Sequence, residues 1–454
     1  MYPAKSAGSG WRAVGTGQGR LARVDWTAAA RGGVADAGEG LGRSFAGRVT
    51  KFWSDALVKT AVPGVDKAGS LNLYLVGNCN IEIWGLTPVE RHTRAFRRAG
   101  VSSVLSAGQP LPQEGAVIMV RSEYVFAAEL VQALAETPGV VLAVESERPG
   151  ERMAVAAHID AAQAGVVEKL LARGVFGGDD HVPSNLRVLS PEELGPSYNR
   201  SLRKRAVPFV LPLNERSRAE VEKKTFAAVY KGATDFVTKW CWPVPARWVT
   251  RWAAAWRISP NTVTTVSLVF VLLAMYLFAE GQFLLGVAAA WFMTFLDTVD
   301  GKLARVTMTS SAWGNVYDHG IDLIHPPFWW WAWWHGLQQA GTAAAPATLD
   351  LALWIVVVGY VVGRLLEGVF HWTFKIQTHI WRPVDYFFRT ITARRNPNLA
   401  ILMVATVFGR PDLGLIAVAA WTVLSIVFHV ERIAQAAFVR ARGGRITSWL
   451  SEPG

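Results

Sequence analysis

Residues 297–322 read "DTVDGKLARVTMTSSAWGNVYDHGID", with hydrophobic sequence running into the stretch and out of it again. It holds four aspartates, Asp297, Asp300, Asp318 and Asp322, with Lys302 and Arg305 between them. An ionisable group at bilayer depth costs at least a few kcal/mol, so its default reading is functional. Asp297 and Asp300 are three apart at the end of one hydrophobic helix. Asp318 and Asp322 are four apart at the start of the next. Either spacing puts a pair on one helical face. Two such helices joined by a turn converge all four carboxylates on one point, where like charges repel. One or two divalent cations relieve that repulsion, and oxygen-only ligation suits Mg²⁺, Mn²⁺ or Ca²⁺ rather than zinc or copper.

The residues between the acids narrow the chemistry. Gly301, Ala304 and Gly314 are small enough for a flat ligand or a second backbone to approach. Arg305 is a fixed cation suited to a phosphate. Carboxylate-held metal beside an arginine is equipment for phosphoryl transfer, with a spare carboxylate to deprotonate the attacking hydroxyl. Snorkelling helix-end charges paired with Lys302 and Arg305 would explain one aspartate, but not four at these spacings with two glycines.

Working outward, the 454-residue chain is 51% hydrophobic and carries 21 Trp, a residue that membrane proteins gather at the water–lipid boundary. Its net charge of +11 accompanies membrane spans, which favours an anionic membrane or phosphate-bearing substrates over nucleic acid. Two distant cysteines, Cys79 and Cys241, exclude a disulfide framework and a cysteine zinc site. Six hydrophobic segments are expected at 262–279, 283–298, 321–337, 349–369, 398–410 and 413–431. Ahead of them Trp248, Trp252 and Trp256 recur every fourth residue beside Arg247 and Arg251, the pattern of a helix lying in the interface. Lys and Arg gather in 371–398, in "RARGGR" (440–445) and at Arg251, Arg257, Lys302 and Arg305. By the positive-inside rule these face the cytoplasm, with both termini and the acids. The "FWWWAWW" run (328–334) is expected toward the outer interface, and Pro326 and Pro327 are expected to bend the third span.

The expected organisation is a loosely ordered leader (1–70), a soluble α/β domain (71–180), a connector (181–225), an interfacial region (226–258), a membrane domain (259–440) and a cytoplasmic tail (441–454). In the soluble domain "LNLYLVG", "VSSVLSAG", "GAVIMVRSEYVF", "VVLAVES" and "RMAVAAHID" read as strands. "TPVERHTRAFRRAG" and "AAELVQALAETPG" read as helices. That alternation predicts a largely parallel sheet.

From Asp300 to Asp322 the sequence reads D-G-x-x-A-R-x8-G-x3-D-x3-D, with Asp297 three residues earlier. This resembles the signature of the CDP-alcohol phosphotransferase family of membrane enzymes, with every fixed position present. "SPNTVT" (259–264) looks like the family's opening of its first span. The resemblance covers roughly residues 226–440. It implies a multi-domain protein whose six-helix, all-α membrane domain moves a substituted phosphate from a CDP-linked donor to an alcohol and releases CMP, in phospholipid or polyol-phosphodiester synthesis. Carried over by position, Asp297, Asp300, Asp318 and Asp322 are metal ligands for Mg²⁺ or Mn²⁺, as two ions. Asp318 and Asp322 are the catalytic pair, Asp322 being ligand or general base. Gly301, Ala304, Arg305, Gly314 and Asn261 bind the nucleotide, with Arg305 on the diphosphate. The resemblance implies CDP-diacylglycerol or a CDP-polyol as donor and leaves the acceptor among glycerol phosphate, inositol phosphate, inositol and other alcohols, with the soluble domain tilting it toward an inositol-like polyol. The setting is membrane lipid, a bacterial inner membrane, and the assembly a homodimer.

The soluble domain is similar to nucleotidyltransferase-like domains of the sugar-nucleotide and inositol-phosphate type. It departs from them where chemistry is needed. "VGNCNIEIWG" stands in place of an Arg-containing, Gly-rich loop, and "MVRSEY" in place of a strand ending in Asp, with Glu123 the one substitute. The expectation is a catalytically inactive domain. Arg364, Lys375 and Arg382 are candidates for the acceptor, and Arg389, Arg394 and Arg395 for its phosphate or for lipid headgroups. Each of these has a topogenic or structural alternative, Arg364 as the intrahelical partner of Glu367. His319 and His325 are read as hydrogen-bonding neighbours of the acids. Two rivals remain: a bifunctional enzyme that also makes its CDP-alcohol, and a cation transporter, which would spread its carboxylates over several helices at mid-membrane.

Overall fold

The computed structural model describes residues 71–451 except 147, 149 and 177–181, so the expected leader lies outside the described residues. The chain enters through β1 (Leu71–Val76) and α1 (Pro88–Arg98). A capping box starts α1: the Thr87 hydroxyl accepts from Glu90 N at 3.2 Å, and Glu90 Oε2 accepts from Thr87 N at 3.0 Å. β2 (Ser103–Leu105), β3 (Ala116–Arg121) and β4 (Tyr124–Phe126) follow, then α2 (Ala128–Glu136), β5 (Val140–Glu145), β6 (Arg152–Asp160), α3 (Ala164–Arg173) and β7 (Val175–Phe176).

The stretch expected as a connector is folded. It holds β8 (Arg187–Leu189), α4 (Pro191–Leu194), β9 (Tyr198–Asn199), β10 (Lys204–Arg205), β11 (Val210–Pro212) and α5 (Arg218–Ala228). The sheet order is β2-β1-β3-β6-β5-β8, with β7 on β6.

This sheet is mixed, which corrects the largely parallel expectation. β1–β2, β1–β3 and β5–β8 are parallel, but β6 runs antiparallel to β3, β5 and β7. The link 146–151 between β5 and β6 is too short for a crossover, and that forces a hairpin. The stretch read as one strand over 115–126 also breaks, at Ser122–Glu123, where Arg121 and Glu123 pair at 2.5 Å. β4 then leaves the main sheet to pair with β11.

His92, on the buried side of α1, packs edge-on against Phe126 with centroids 5.8 Å apart. Burial, then the charge of Arg91, pushes its ring down to about 4, from the ordinary 6.5 it has when unfolded. Below pH 6.5 the unfolded chain therefore takes a proton that the folded chain refuses. Stability present above pH 6.5 is lost as pH falls toward 4, by about 3 kcal/mol in all. Thermal midpoints measured across that window should decline in the wild type and flatten in His92→Gln.

The remainder is helical: α6 (Pro243–Ala255), α7 (Pro260–Ala279), α8 (Phe283–Val306), α9 (Ala312–Ala340), α10 (Pro346–Phe374), α11 (Pro383–Phe388), α12 (Arg395–Val407) and α13 (Pro411–Ala441). Four of them, α7, α8, α10 and α13, are long and apolar enough to cross a membrane. On α6 the face carrying Trp248 and Trp252 is exposed, while Ala246, Thr250, Ala253 and Ala254 pack inward.

Much of the tryptophan run packs against neighbouring helices. Trp329, Trp330 and Trp333 are among the largest fully buried side chains, and their neighbours Phe328 and Trp331 face out. The cause is helical spacing on α9, which runs on through Pro326 and Pro327. The Trp329 and Trp333 indoles donate to the backbone carbonyls of Val271 and Pro411 at 2.9 and 3.2 Å.

The loop after β1 joins the two parts of the chain. Ile83 and Trp84, 1% and 2% exposed, are buried in one cluster with Phe226, Ala254, Val263, Val299 and Leu303. Gly85 has φ +65°, and a Cβ there would meet the Ala254 carbonyl oxygen at 2.5 Å, so glycine is required twice over. Farther along, Arg94 and Arg98 of α1 donate to the carbonyls of Thr307 and Ser310 at 2.8 and 3.2 Å, holding the turn between α8 and α9.

Candidate active site

Helices α8 and α9 extend past the acids, so the aspartates sit inside helices rather than at their tips. One carboxylate oxygen from each of Asp297, Asp300 and Asp318 lies within 4.8 Å of the other two. Asp300 is buried. Its Oδ2 accepts from the Thr264 hydroxyl of α7 at 2.6 Å, and its Oδ1 has no hydrogen-bond partner.

Asp322 stands outside that trio and is held by Arg395, the first residue of α12. The same guanidinium reaches Asp297 Oδ2 at 2.5 Å and so bridges the two acid helices. Three oxygen ligands fit a hard divalent cation, and Asp300 also carries a buried carboxylate oxygen with no partner. An orphaned buried acceptor is costly unless something meets it.

All four acids line one cavity of about 670 Å³, a size suited to a nucleotide and a small second substrate. Gly301, Ala304, Arg305, Gly314 and Asn261 line it too. A Cβ on Gly314 would meet Asn261 Oδ1 at 2.8 Å, so the glycine lets α7 and α9 close together. Arg305 is anchored by its Nε to the Val229 carbonyl at 3.1 Å, which leaves its other nitrogens beside Gly301.

Arg364 lines the cavity and also donates to Glu367 at 2.9 Å, so the ion pair and the cavity position coexist. Glu367 is a hub that accepts from Arg394 at 2.5 Å and meets His379 and His429 at 3.4 and 3.3 Å. Arg389, Arg394 and Arg395 face the cavity. Lys375 and Arg382 do not line it. Lys375 ends α10 in a left-handed turn with its amine over Trp372, and Arg382 stacks on Trp381 and donates to Gln435. His319 lines the cavity and His325 does not; both rings bond to backbone carbonyls of their own helix.

Sequence reading missed the roof. Arg203 follows β9, and Lys231 and Asp235 lie beyond α5; all three line the cavity, yet no motif marks them. Asp235 accepts from Thr238 N and Asn396 Nδ2, both at 3.0 Å, which ties the roof to α12. Burial, then Arg305 and Arg203, pushes the Lys231 amine down to about 8. Thr264 stood within the quoted "SPNTVT", but its bond to Asp300 could not be read from that string.

A model of the family described as CDP-alcohol phosphatidyltransferase matches residues 257–393. Cholinephosphotransferase 1 of Danio rerio is 34% identical over 92 residues, 18% of this chain and 24% of that protein. Phosphatidylinositol phosphate synthase of Streptomyces avermitilis is 30% identical over 114 residues, 25% of this chain and 45% of that protein. This chain thus spans less than half the length of either relative. The crystal structure of Mycobacterium tuberculosis phosphatidylinositol phosphate synthase with CDP-DAG bound aligns at TM-score 0.33 and 18% identity, over 41% of this chain and 91% of that one. With four helices fit to cross a bilayer, the chain is an integral membrane protein. Its C-terminal part, where the paired acid helices lie, is a CDP-alcohol phosphatidyltransferase domain.

Proposed function

We propose that this chain transfers a substituted phosphate from a CDP-linked donor to an alcohol at the cytoplasmic face of a membrane, releasing CMP. One observation carries the reading: three carboxylates from adjacent helices meet within 4.8 Å, beside Arg305, in a cavity of nucleotide size. Asp297, Asp300 and Asp318 would hold Mg²⁺ or Mn²⁺, and Asp322 would join them once Arg395 yields. A bound divalent ion neutralises phosphate oxygens and eases departure of the leaving group.

The chain's own residues do the rest. Asn261, Gly301, Ala304 and Gly314 would take the cytidine, and Arg305 the diphosphate. The acceptor oxygen attacks the phosphorus distal to the cytidine. The bond from that phosphorus to the bridging oxygen breaks, and CMP leaves with the electron pair. Asp318 or Asp322 receives the hydroxyl proton. Arg364 lies where an acceptor could be gripped. The donor reading is CDP-diacylglycerol or a CDP-polyol, with a polyol acceptor.

In this reading α9 and α12 cross the membrane with α7, α8, α10 and α13, and α6 lies in the interface on its exposed tryptophans. Both ends of the chain face the cytoplasm. The α/β part would be catalytically inactive, because the loop where a phosphate cradle would lie is instead buried against the helices through Ile83 and Trp84. A cation transporter fits the site less well. Among the described residues the cavity is lined by eight Lys or Arg side chains against five carboxylates, so positive charge is in excess. That favours a polyanion.

The test is CMP release by the purified full-length chain, given CDP-diacylglycerol or CDP-inositol with a panel of polyols, and product masses. Activity should require Mg²⁺ or Mn²⁺, vanish with chelator and fall about a thousandfold in Asp318→Asn, a loss near 4 kcal/mol. CMP release that survives both treatments would defeat the reading. Diphosphate release by the Asp318→Asn chain given CTP and phosphorylated alcohols would instead show that the α/β part is an enzyme.

A further inference from the structure

Lys302 and Arg305 line the cavity three residues apart on α8, so they share one face of the helix, where like charges repel. Two consecutive residues of one short segment meet them. The Val229 carbonyl accepts from Arg305 Nε at 3.1 Å, and the Lys302 ammonium lies 3.9 Å from the centre of the Tyr230 ring. Lys302 is 5% exposed and, among the described residues, makes no hydrogen bond or ion pair. The ring face is what meets its charge, and a desolvated ammonium is drawn to the negative face of an aromatic ring. The Tyr230 hydroxyl is buried without a partner, so the ring and not the oxygen accounts for this residue.

Val229 and Tyr230 lie just beyond α5 and outside residues 257–393. The end of α5 is fixed from the α/β side. Phe226 stacks on Trp84 with centroids 5.6 Å apart and meets Tyr230 edge-on at 5.4 Å. Lys204 of β10 donates to the Ala227 and Ala228 carbonyls at 3.1 and 2.5 Å. The last carbonyls of a helix lack partners within it and carry partial negative charge, so Lys204 and Arg305 are both drawn to this end. A row of rings, Trp84, Phe226 and Tyr230, thus runs from the loop after β1 to the residue that follows Gly301.

We propose that Tyr230 is a positioning residue for the donor site: its ring holds Lys302 aside, so that the Val229 carbonyl stays with Arg305 and keeps that guanidinium aimed past Gly301. This rests on the phosphotransfer reading, in which Arg305 takes the donor's diphosphate. A lysine is a flexible stem ending in three donors. Released from the ring, the Lys302 ammonium would compete with Arg305 for the Val229 carbonyl next to it. Arg305 would then lose the bond that fixes it, and its other nitrogens would no longer rest beside Gly301. The α/β part, without chemistry of its own, acts on the reaction through this contact.

The experiment uses the full-length chain in lipid nanodiscs with Mg²⁺. Calorimetry gives the affinity for CMP, and CMP release from CDP-diacylglycerol with the polyol panel gives KM for donor and acceptor. Tyr230→Leu should weaken CMP binding and raise the donor KM, each about tenfold, with the acceptor KM within twofold. Tyr230→Phe, which keeps the ring, should stay within twofold of the wild type in both. In a Lys302→Met background, adding Tyr230→Leu should change CMP affinity less than twofold further, because the residue acts through that lysine. A Tyr230→Phe as weak as Tyr230→Leu, an unchanged CMP affinity in Tyr230→Leu, or effects of the two substitutions that add in full would each overturn the positioning role. CMP release would in those cases leave the phosphotransfer reading standing. A wild type that neither binds nor releases CMP would sink both. Should Tyr230→Leu not fold, pentafluorophenylalanine at position 230 keeps the ring's shape and reverses its charge pattern. It should then give the tenfold loss relative to Tyr230→Phe, and a loss within twofold would overturn the proposal.

Discussion

Asp300→Asn should abolish CMP release, by about a thousandfold or more, without weakening the fold. Asp300 is buried, with one oxygen held by Thr264 and the other unpartnered, and its carboxyl group lies close to two further carboxylates. An amide keeps an acceptor for the Thr264 hydroxyl but loses the charge and offers N–H₂ where a cation would bind. Removing one of several crowded, buried negative charges relieves repulsion, so the metal-free thermal midpoint should hold steady or rise. Activity lost with stability kept is the mark of a site that trades stability for function. A midpoint that collapses, or activity within tenfold of wild type, would mean that this carboxylate is a structural partner of Thr264 and nothing more.

The second large effect is expected far from the acids. Trp84→Ala should cost about 3–5 kcal/mol, the usual cost of emptying a buried tryptophan site. Its ring stacks on Phe226 at 5.6 Å, and its Nε1 donates to Thr225 at 2.9 Å. Losing that wedge should loosen the α/β part from the helices and expose the 77–86 loop to protease. CMP release should fall as well, because Arg94 and Arg98 of the same part hold the 307–310 turn between the two acid helices. Unchanged proteolysis with unchanged activity would show that the two parts hold together without this contact.

How much of this was legible beforehand differs residue by residue. The acid pairs were readable because helical spacing is local: three and four residues apart place side chains on one face wherever the helix goes. Gly301, Ala304, Arg305 and Gly314 came with them, since each lies within a few turns of an aspartate. Helix positions followed from hydrophobic run length, and α8 and α9 only ran on through the polar ends. Arg395 was visible as a loop cation, but not as the bridge between Asp297 and Asp322. Lys375 and Arg382 looked equivalent to it in sequence and lie elsewhere.

From its own order of residues, then, this chain determined two acid-bearing helices, a bilayer setting and an α/β part ahead of them, because period and composition act over short range. What only the folded chain decided was long-range. The sheet is mixed because one link is too short to cross over. The tryptophans turn inward because one face of α9 meets its neighbours. Arg203 and Lys231 reach the cavity because a segment with no motif folds back over the acids, and contacts between residues tens of positions apart leave no periodic trace in a single sequence.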